Sequence, residues 1–289
     1  MKTPITIITG YLGAGKTTLL KNIIDNSSRK IAVVMNEFGE INIDGNTIKG
    51  KNIDMVELQN GCVCCSLTGE FEIAIKELIE KAKPDAIIVE TTGVAEPDAV
   101  VIDIQDNLPE VRLDAVITIA DADAILKFPT IGNTGKMQLE MADIILLNKT
   151  DLISEQEIAK AEEKVKAIKS SAIIFRTVKC KIINDYLFGI ETKKAAKEHH
   201  HHKIKENCFY YKSDKIIDGK KFADFVSSMP KNIYRAKGFI RLNNGSFLFN
   251  YVAGRYDFEK FDAEKTELVF IGENADKVKD SIIKKLKSL

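Results

Sequence analysis

The run Ile5-Thr-Ile-Ile-Thr-Gly10-Tyr-Leu-Gly-Ala-Gly15-Lys16-Thr17-Thr18-Leu-Leu-Lys-Asn-Ile-Ile-Asp-Asn-Ser27 holds three patterns in succession. Ile5 to Thr9 is β-branched throughout, three isoleucines with two threonines, which predicts a buried strand. Lys16 to Ser27 has the spacing of an amphipathic helix. Between them, Gly10 to Thr17 fits G-x-x-x-x-G-K-[ST]. Glycines at these positions let successive backbone N–H groups turn inward around phosphate oxygens at a helix N-terminus. The Lys16 ammonium then reaches β- and γ-phosphates, and the Thr17 hydroxyl ligates Mg2+. Gly10, Gly13, Ala14, Gly15, Lys16, Thr17 and Thr18 form the candidate phosphate-binding set. A chance glycine-rich turn before a helix is the plain alternative, and it leaves the Lys-Thr pair at the helix start without a reason.

Working outward, further buried strands are expected at Ile31–Met35, Ala86–Glu90, Ala115–Ile119, Ile144–Asn148 and Ile173–Arg176. Helices are expected at Glu70–Ala82, Ala95–Gln105 and Glu155–Lys169. Unpatterned apolar strands alternating with helices indicate an α/β fold, a doubly wound and mostly parallel sheet that takes ligands beyond its strands' carboxyl ends. Two strand ends carry chemistry. Ile87-Ile-Val-Glu90-Thr-Thr-Gly93 puts an acid at the end of a buried strand, where Glu90 can serve the Mg2+ shell or position a water and the Gly93 N–H can approach a γ-phosphate. Asn148-Lys149-Thr150-Asp151 follows another strand. There the Asp151 carboxylate accepts from guanine N1–H and the 2-amino group, Asn148 addresses the Hoogsteen edge and the Lys149 stem packs on the ring. Adenine lacks both donors and would strand the carboxylate at a cost of about 1–3 kcal/mol. The expected nucleotide is GTP.

The chain has 289 residues, 45% hydrophobic and 29% charged, which suits a folded protein of about two domains and argues against pervasive disorder. Lys plus Arg and Asp plus Glu both total 42. With no basic excess to neutralise a phosphate backbone, nucleic acid is not an expected partner. The longest apolar runs, such as Ala86–Val89, fall far short of the roughly 20 residues a membrane span needs, and the N-terminus reads as a first strand, not a signal peptide. No membrane partner and a cytoplasmic location are expected. After about residue 185 the character changes. We expect a nucleotide-binding domain over 1–190, a charged His-rich linker over 191–206, and a smaller α+β domain over 207–289. The last has strands near Asn207–Lys212, Gly238–Leu242, Ser246–Val252 and Glu267–Ile271, helices at Gly219–Ser228 and Ala275–Leu286, and a hairpin turn at Asn243-Asn244-Gly245.

Three of the five cysteines fall at Cys62, Cys64 and Cys65. Three close thiols suit a soft or borderline cation such as Zn2+, with Co2+ also admitted, and leave a fourth position open, as expected of a transferable metal. A transient disulfide between thiols of depressed pKa is a second reading, and small buried residues a third. Cys180 and Cys208 read as core residues.

Taken together, these residues resemble the CobW-type metallochaperone GTPases, also called zinc-regulated GTPase metalloprotein activators. The matching stretches are Gly10 to Thr18, Asn36-Glu-Phe-Gly-Glu-Ile-Asn-Ile-Asp44, Gly61-Cys-Val-Cys-Cys65, Glu90-Thr-Thr-Gly-Val-Ala-Glu-Pro97 and Asn148 to Leu152, with a weaker match at Arg235-Ala-Lys-Gly-Phe-Ile-Arg241. The resemblance implies GTP hydrolysis coupled to delivery of a metal, usually zinc or cobalt, to a client metalloprotein. It further implies that Asn36 to Asp44 is a switch segment in which Glu37 completes the metal site or senses the nucleotide, and that Cys65 to Gly69 touches the nucleotide. His199, His200, His201 and His202 are either a solvated loop or, as the family's variable tracts suggest, an auxiliary metal collector. Lys16, Thr17 and Glu90 would carry the phosphoryl chemistry, slowly, because no arginine is evidently placed as a finger in cis. A GTPase with redox-sensing cysteines and a non-enzymatic metal store are the competing readings, and a homodimer stays open.

Overall fold

The structure, a computed structural model, describes residues 2–27, 29–35, 53–57, 68–93, 97–128, 132–188 and 207–289. It divides into two compact units, Lys2–Ile182 and Ile183–Leu289. The boundary expected at residue 190, the linker 191–206 and the four histidines lie outside the described residues, as do Asn36 to Asp44 with Glu37, and Cys62, Cys64 and Cys65.

In the first unit the elements run β1 (Thr3–Gly10), α1 (Lys16–Asp25), β2 (Ile31–Met35), β3 (Ile53–Glu57), α2 (Thr68–Ala82), β4 (Ala86–Glu90), α3 (Pro97–Asn107), β5 (Val111–Asp121), α4 (Ala122–Lys127), α5 (Gly132–Met141), β6 (Ile144–Asn148), α6 (Glu155–Ile168) and β7 (Ile173–Thr177). Seven strands pair in the order β3-β2-β4-β1-β5-β6-β7, and every pairing is parallel. Parallel neighbours demand crossovers, and the helices that make them cover the sheet, which is why β2, β4 and β6 are buried along their whole length. Ile5, Ile7, Ile87 and Val89 share one core with Phe71, Ile75 and Leu78 of α2 and Val100 and Ile104 of α3. Ile145 and Leu147 share another with Leu139 of α5 and Ile158, Ala161 and Val165 of α6. The chain winds to one side of β1 through β2, β3 and β4, then to the other through β5, β6 and β7. That reversal opens the crevice in which such sheets take ligands.

Several elements depart from the sequence expectation. β3 is an edge strand whose two acids, Asp54 and Glu57, interrupt its apolar residues. α5 opens on Gly132 and carries Gly135, and α4 is only six residues long, so neither has the periodicity of a long helix. The helix expected from Ala95 is described from Pro97, with Ala95 outside the described residues.

In the second unit a short helix, α7 (Asn184–Phe188), precedes β8 (Cys208–Ser213), α8 (Gly219–Ser227), β9 (Ile233–Leu242), β10 (Gly245–Val252), β11 (Arg255–Lys260), β12 (Thr266–Gly272) and α9 (Ala275–Lys287). The antiparallel sheet, ordered β11-β10-β9-β12-β8, encloses an aromatic core in which Phe222 of α8 meets Phe249 edge-on at 5.1 Å and Phe209 stacks on Phe270 at 4.9 Å. β9 begins five residues before the expected strand, running through Gly238, where a Cβ would lie 1.9 Å from the Glu267 carbonyl oxygen of β12. β11 was not expected, because Arg255-Tyr-Asp-Phe-Glu-Lys260 is largely charged and lies at the edge. Asn243-Asn244 closes the β9–β10 hairpin ahead of Gly245. Cys208 is half-buried, so the reading of it as a core residue is corrected. Cys180 is buried as expected.

The β10–β11 hairpin turns on Ala253 and Gly254, with φ of 53° and 94°. Two positive φ values in a two-residue loop mark a type I′ turn, where alanine is strained and asparagine is at ease. Ala253→Asn should therefore raise stability by about 0.5–1 kcal/mol, read as a higher urea midpoint at unchanged slope; Ala253→Val should lower it.

Candidate nucleotide site

The loop between β1 and α1 is shaped by Gly10, Gly13 and Gly15, with φ of 140°, 74° and 119°. Gly15 caps α1 and has no side chain to hydrogen-bond the helix start, the end of a helix at which anions bind. Space also requires glycine there: a Cβ at residue 15 would lie 2.7 Å from Asn148 Nδ2 and 2.9 Å from Cys180 Sγ. Lys16 is buried and its ammonium donates to the carbonyls of Gly10 at 2.9 Å and Tyr11 at 3.3 Å, holding it across the loop mouth. Ala14 is buried beneath the loop, while Thr18 faces solvent.

Glu90 ends β4 directly beside Ile8 of β1 and is 4% exposed. Its Oε1 accepts from Thr17 Oγ1 at 3.1 Å. A hydroxyl and a carboxylate side by side at the start of α1 are hard oxygen donors of the kind Mg2+ takes, so the donor set fits that ion. Beyond Glu90, the Thr91 N–H donates to Ile8 O at 3.0 Å and its hydroxyl to Thr9 Oγ1 at 2.9 Å. Gly93 then approaches the phosphate loop so closely that a Cβ would stand 2.6 Å from the Leu12 nitrogen. The Gly93 carbonyl accepts from Gln138 Nε2 at 3.2 Å, and the Gln138 carbonyl from Thr118 Oγ1 at 2.6 Å.

On the other flank, Asn148 ends β6 and is 2% exposed. Its Nδ2 donates to Ala14 O at 2.8 Å, and its Oδ1 accepts from Thr177 Oγ1 at 3.1 Å and Cys180 N at 2.9 Å. The residue expected to read a base edge thus also fastens the phosphate loop to β7 and the chain beyond it. Lys149 is left-handed, φ 63°, and its ammonium pairs at 2.6 Å with Asp121, whose other oxygen caps α4. Asp151 lies exposed in a single 3-10 turn, Thr150–Leu152. After β7, Lys179 and Cys180 are both left-handed, and Asn22 of α1 donates to their carbonyls at 2.8 and 3.2 Å. Cys180 Sγ reaches Gly15 O at 3.4 Å, and burial pushes its thiol up to about 12, so it stays protonated at neutral pH and packs against the loop.

The structure therefore brings Lys16, Thr17, Glu90 and Gly93 around one end of the loop and Asn148, with Lys149 and Asp151 following it, to the other. Sequence reasoning missed Asn22, Asp121, Gln138, Thr177 and Cys180 as partners of the site. None stands in a recognisable spacing, and only the bonds they make in the folded chain reveal them. Among the described residues no group of three or more His, Cys, Asp or Glu stands together to hold a metal. No helix among them is long and apolar enough to cross a membrane.

Comparison with known proteins finds relatives of both units. Residues 4–176 match the nucleotide-binding domain described as CobW/HypB/UreG, and residues 207–289 the cobalamin synthesis protein CobW C-terminal domain. A zinc chaperone CobW from a Sinorhizobium species is 34% identical over 196 residues, covering 57% of this chain and 55% of its own length. The zinc-regulated GTPase metalloprotein activator 1 of Schizosaccharomyces pombe is 36% identical over 188 residues, covering 60% of this chain and 45% of its own. The chain thus spans about half the length of the curated relatives it matches. Among solved structures, Zn(II)-bound YjiA GTPase from Escherichia coli aligns over 100% of this chain and 99% of that one, at a TM-score of 0.52 and 24% identity, a likeness of fold.

Replacing Asn148 by alanine strands Ala14 O, Thr177 Oγ1 and Cys180 N at once. The expected loss is about 2–4 kcal/mol, measured by urea unfolding, and nucleotide binding should fall with it.

Proposed function

The chain belongs to the CobW/HypB/UreG nucleotide-binding family, and from that premise we propose that it is a Mg2+-dependent GTPase that hands a transition metal to a client metalloprotein. The cargo is zinc, with cobalt second, and its ligands are Cys62, Cys64 and Cys65 with Glu37; His199 to His202 form an auxiliary collecting tract. The observation that carries the nucleotide half is the Thr17–Glu90 contact beside the Lys16-braced loop. The metal half rests on the Cys-x-Cys-Cys spacing and on the relatives named as zinc chaperones. A reducing compartment such as the cytoplasm suits clustered free thiols.

In this reading the N–H groups of residues 13–18 cradle the phosphates, and Lys16 leaves its carbonyl partners to lie against β- and γ-oxygens. Bound Mg2+ supplies charge neutralisation as the γ-phosphoryl departs. Thr17 and Glu90 would hold that ion, and the Gly93 N–H meets the γ-phosphate. Asp151 accepts from the two guanine donors, and the second N–H of the Asn148 amide faces the purine N7. The Asp151 role has a sharp test. Asp151→Asn replaces one acceptor by a donor, which suits xanthine with its 2-oxo group. GTP affinity should fall about 100-fold, the cost of one hydrogen bond to a charged acceptor replaced by two donors facing each other, while xanthosine triphosphate affinity rises. An unchanged preference would place the base elsewhere.

The metal cycle is tested by competing the protein against a chromogenic chelator without nucleotide, with GDP and with a non-hydrolysable GTP analogue. Zinc affinity that depends on the nucleotide and disappears in Cys64→Ser is the expected result. Tight binding indifferent to nucleotide would indicate a store, and no binding at these cysteines would leave a GTPase with redox-active thiols.

A further inference from the structure

Gln138 is an expensive residue to bury. It is 1% exposed on α5 beside Leu139 and Gly135, where an apolar side chain would pack with no hydrogen-bonding obligation. Its amide reaches beyond its own helix. Nε2 crosses to the Gly93 carbonyl at 3.2 Å, and its backbone carbonyl is held by the Thr118 hydroxyl of β5, itself 2% exposed. The chain leaving β4 is already tied down two residues earlier, where the Thr91 N–H donates to Ile8 O and its hydroxyl to Thr9. The additional bond falls on the one residue there that lacks a Cβ and is free to turn. The Gly93 N–H therefore lies between two anchored points, Thr91 upstream and its own carbonyl downstream. The Cα of Gly93 also packs against Leu12 of the phosphate loop, which leaves no room for a side chain.

We propose that Gln138 is a positioning residue for γ-phosphate recognition. By holding the Gly93 carbonyl it sets the Gly93 backbone so that its N–H points at the loop mouth, and it makes the protein's preference for a nucleoside triphosphate over a diphosphate depend on α5. This rests on the reading above that the Gly93 N–H meets the γ-phosphate. The reasoning is that a backbone donor contributes most when it is aimed before the ligand arrives, and a glycine cannot aim itself. GDP makes no contact with that N–H and should not notice the change.

The test uses the full chain and three proteins: wild type, Gln138→Met, which fills the same space without a donor, and Gln138→Glu. Affinities for GDP and for a non-hydrolysable GTP analogue are measured with Mg2+, together with kcat for GTP. In Gln138→Met the analogue-to-GDP affinity ratio should fall about 10-fold and kcat about 10- to 100-fold, with GDP affinity within about 2-fold of wild type. Gln138→Glu should behave like the Met variant at pH 8, where an ionised carboxylate repels the carbonyl. It should recover toward wild type as the pH falls and the protonated acid donates in place of the amide. A merely structural role would weaken GDP and the analogue equally and show no such recovery, and that result overturns the proposal. Wild-type-like ratios in both variants overturn it too. Failure of the wild-type protein to bind either nucleotide would instead overturn the GTPase reading beneath it.

Discussion

The mouth of the parallel sheet depends on one buried amide, that of Asn148. It joins the phosphate loop at Ala14, the end of β7 at Thr177 and the chain beyond it at Cys180. Each such bond adds only about 1 kcal/mol net, but a buried group deprived of its partner costs more than the bond contributes. The tie is therefore worth more unbroken than its three bonds suggest. Asn22 repeats it from the side of α1, holding the carbonyls of Lys179 and Cys180. Gly15 is the spatial counterpart, since only a residue without a side chain leaves room for Asn148 and Cys180 to close in.

On the other flank of β1 the same problem has a different solution. Parallel strands end with polar groups that must be met by side chains, water or ligand. Thr9, Glu90, Thr91 and Thr118 are all buried there, and each has a named partner. These polar ends cluster where the strand order reverses about β1, so the position of the crevice follows from topology and its chemistry from what β4, β5 and β6 present at their last residues. Loop, cation-side carboxylate and base-side turn are consequently mounted on three different strands of one sheet. Their spacing is as rigid as the sheet.

How much of this was readable in advance varied with how local each feature is. The strand, glycine loop and helix from Thr3 to Asp25 are contiguous, and their patterns are unambiguous. β2, β4 and β6 were legible because strands covered on both faces are almost purely apolar. β3 and β11 were not, because edge strands carry acids and lysines that mimic loops. α5 was hidden by its glycines, and Gln138 with it, since a polar side chain in a helix ordinarily reads as its solvent face. Cys208 looked like core by residue type, yet it starts an edge strand and is only half-buried.

The amino-acid sequence by itself determined the alternating α/β pattern, the glycine-rich turn ahead of Lys16, and the residue types at the ends of β4 and β6, because each depends on neighbours within a few positions. Tertiary structure alone decided that Thr17 would meet Glu90 across 73 residues and Asn148 would meet Ala14 across 134. It also decided that a glutamine of α5 would be buried against the Gly93 carbonyl. Such contacts arise from strand order and parallel register. Register is set by the whole sheet packing against its helices, so no local pattern announces it.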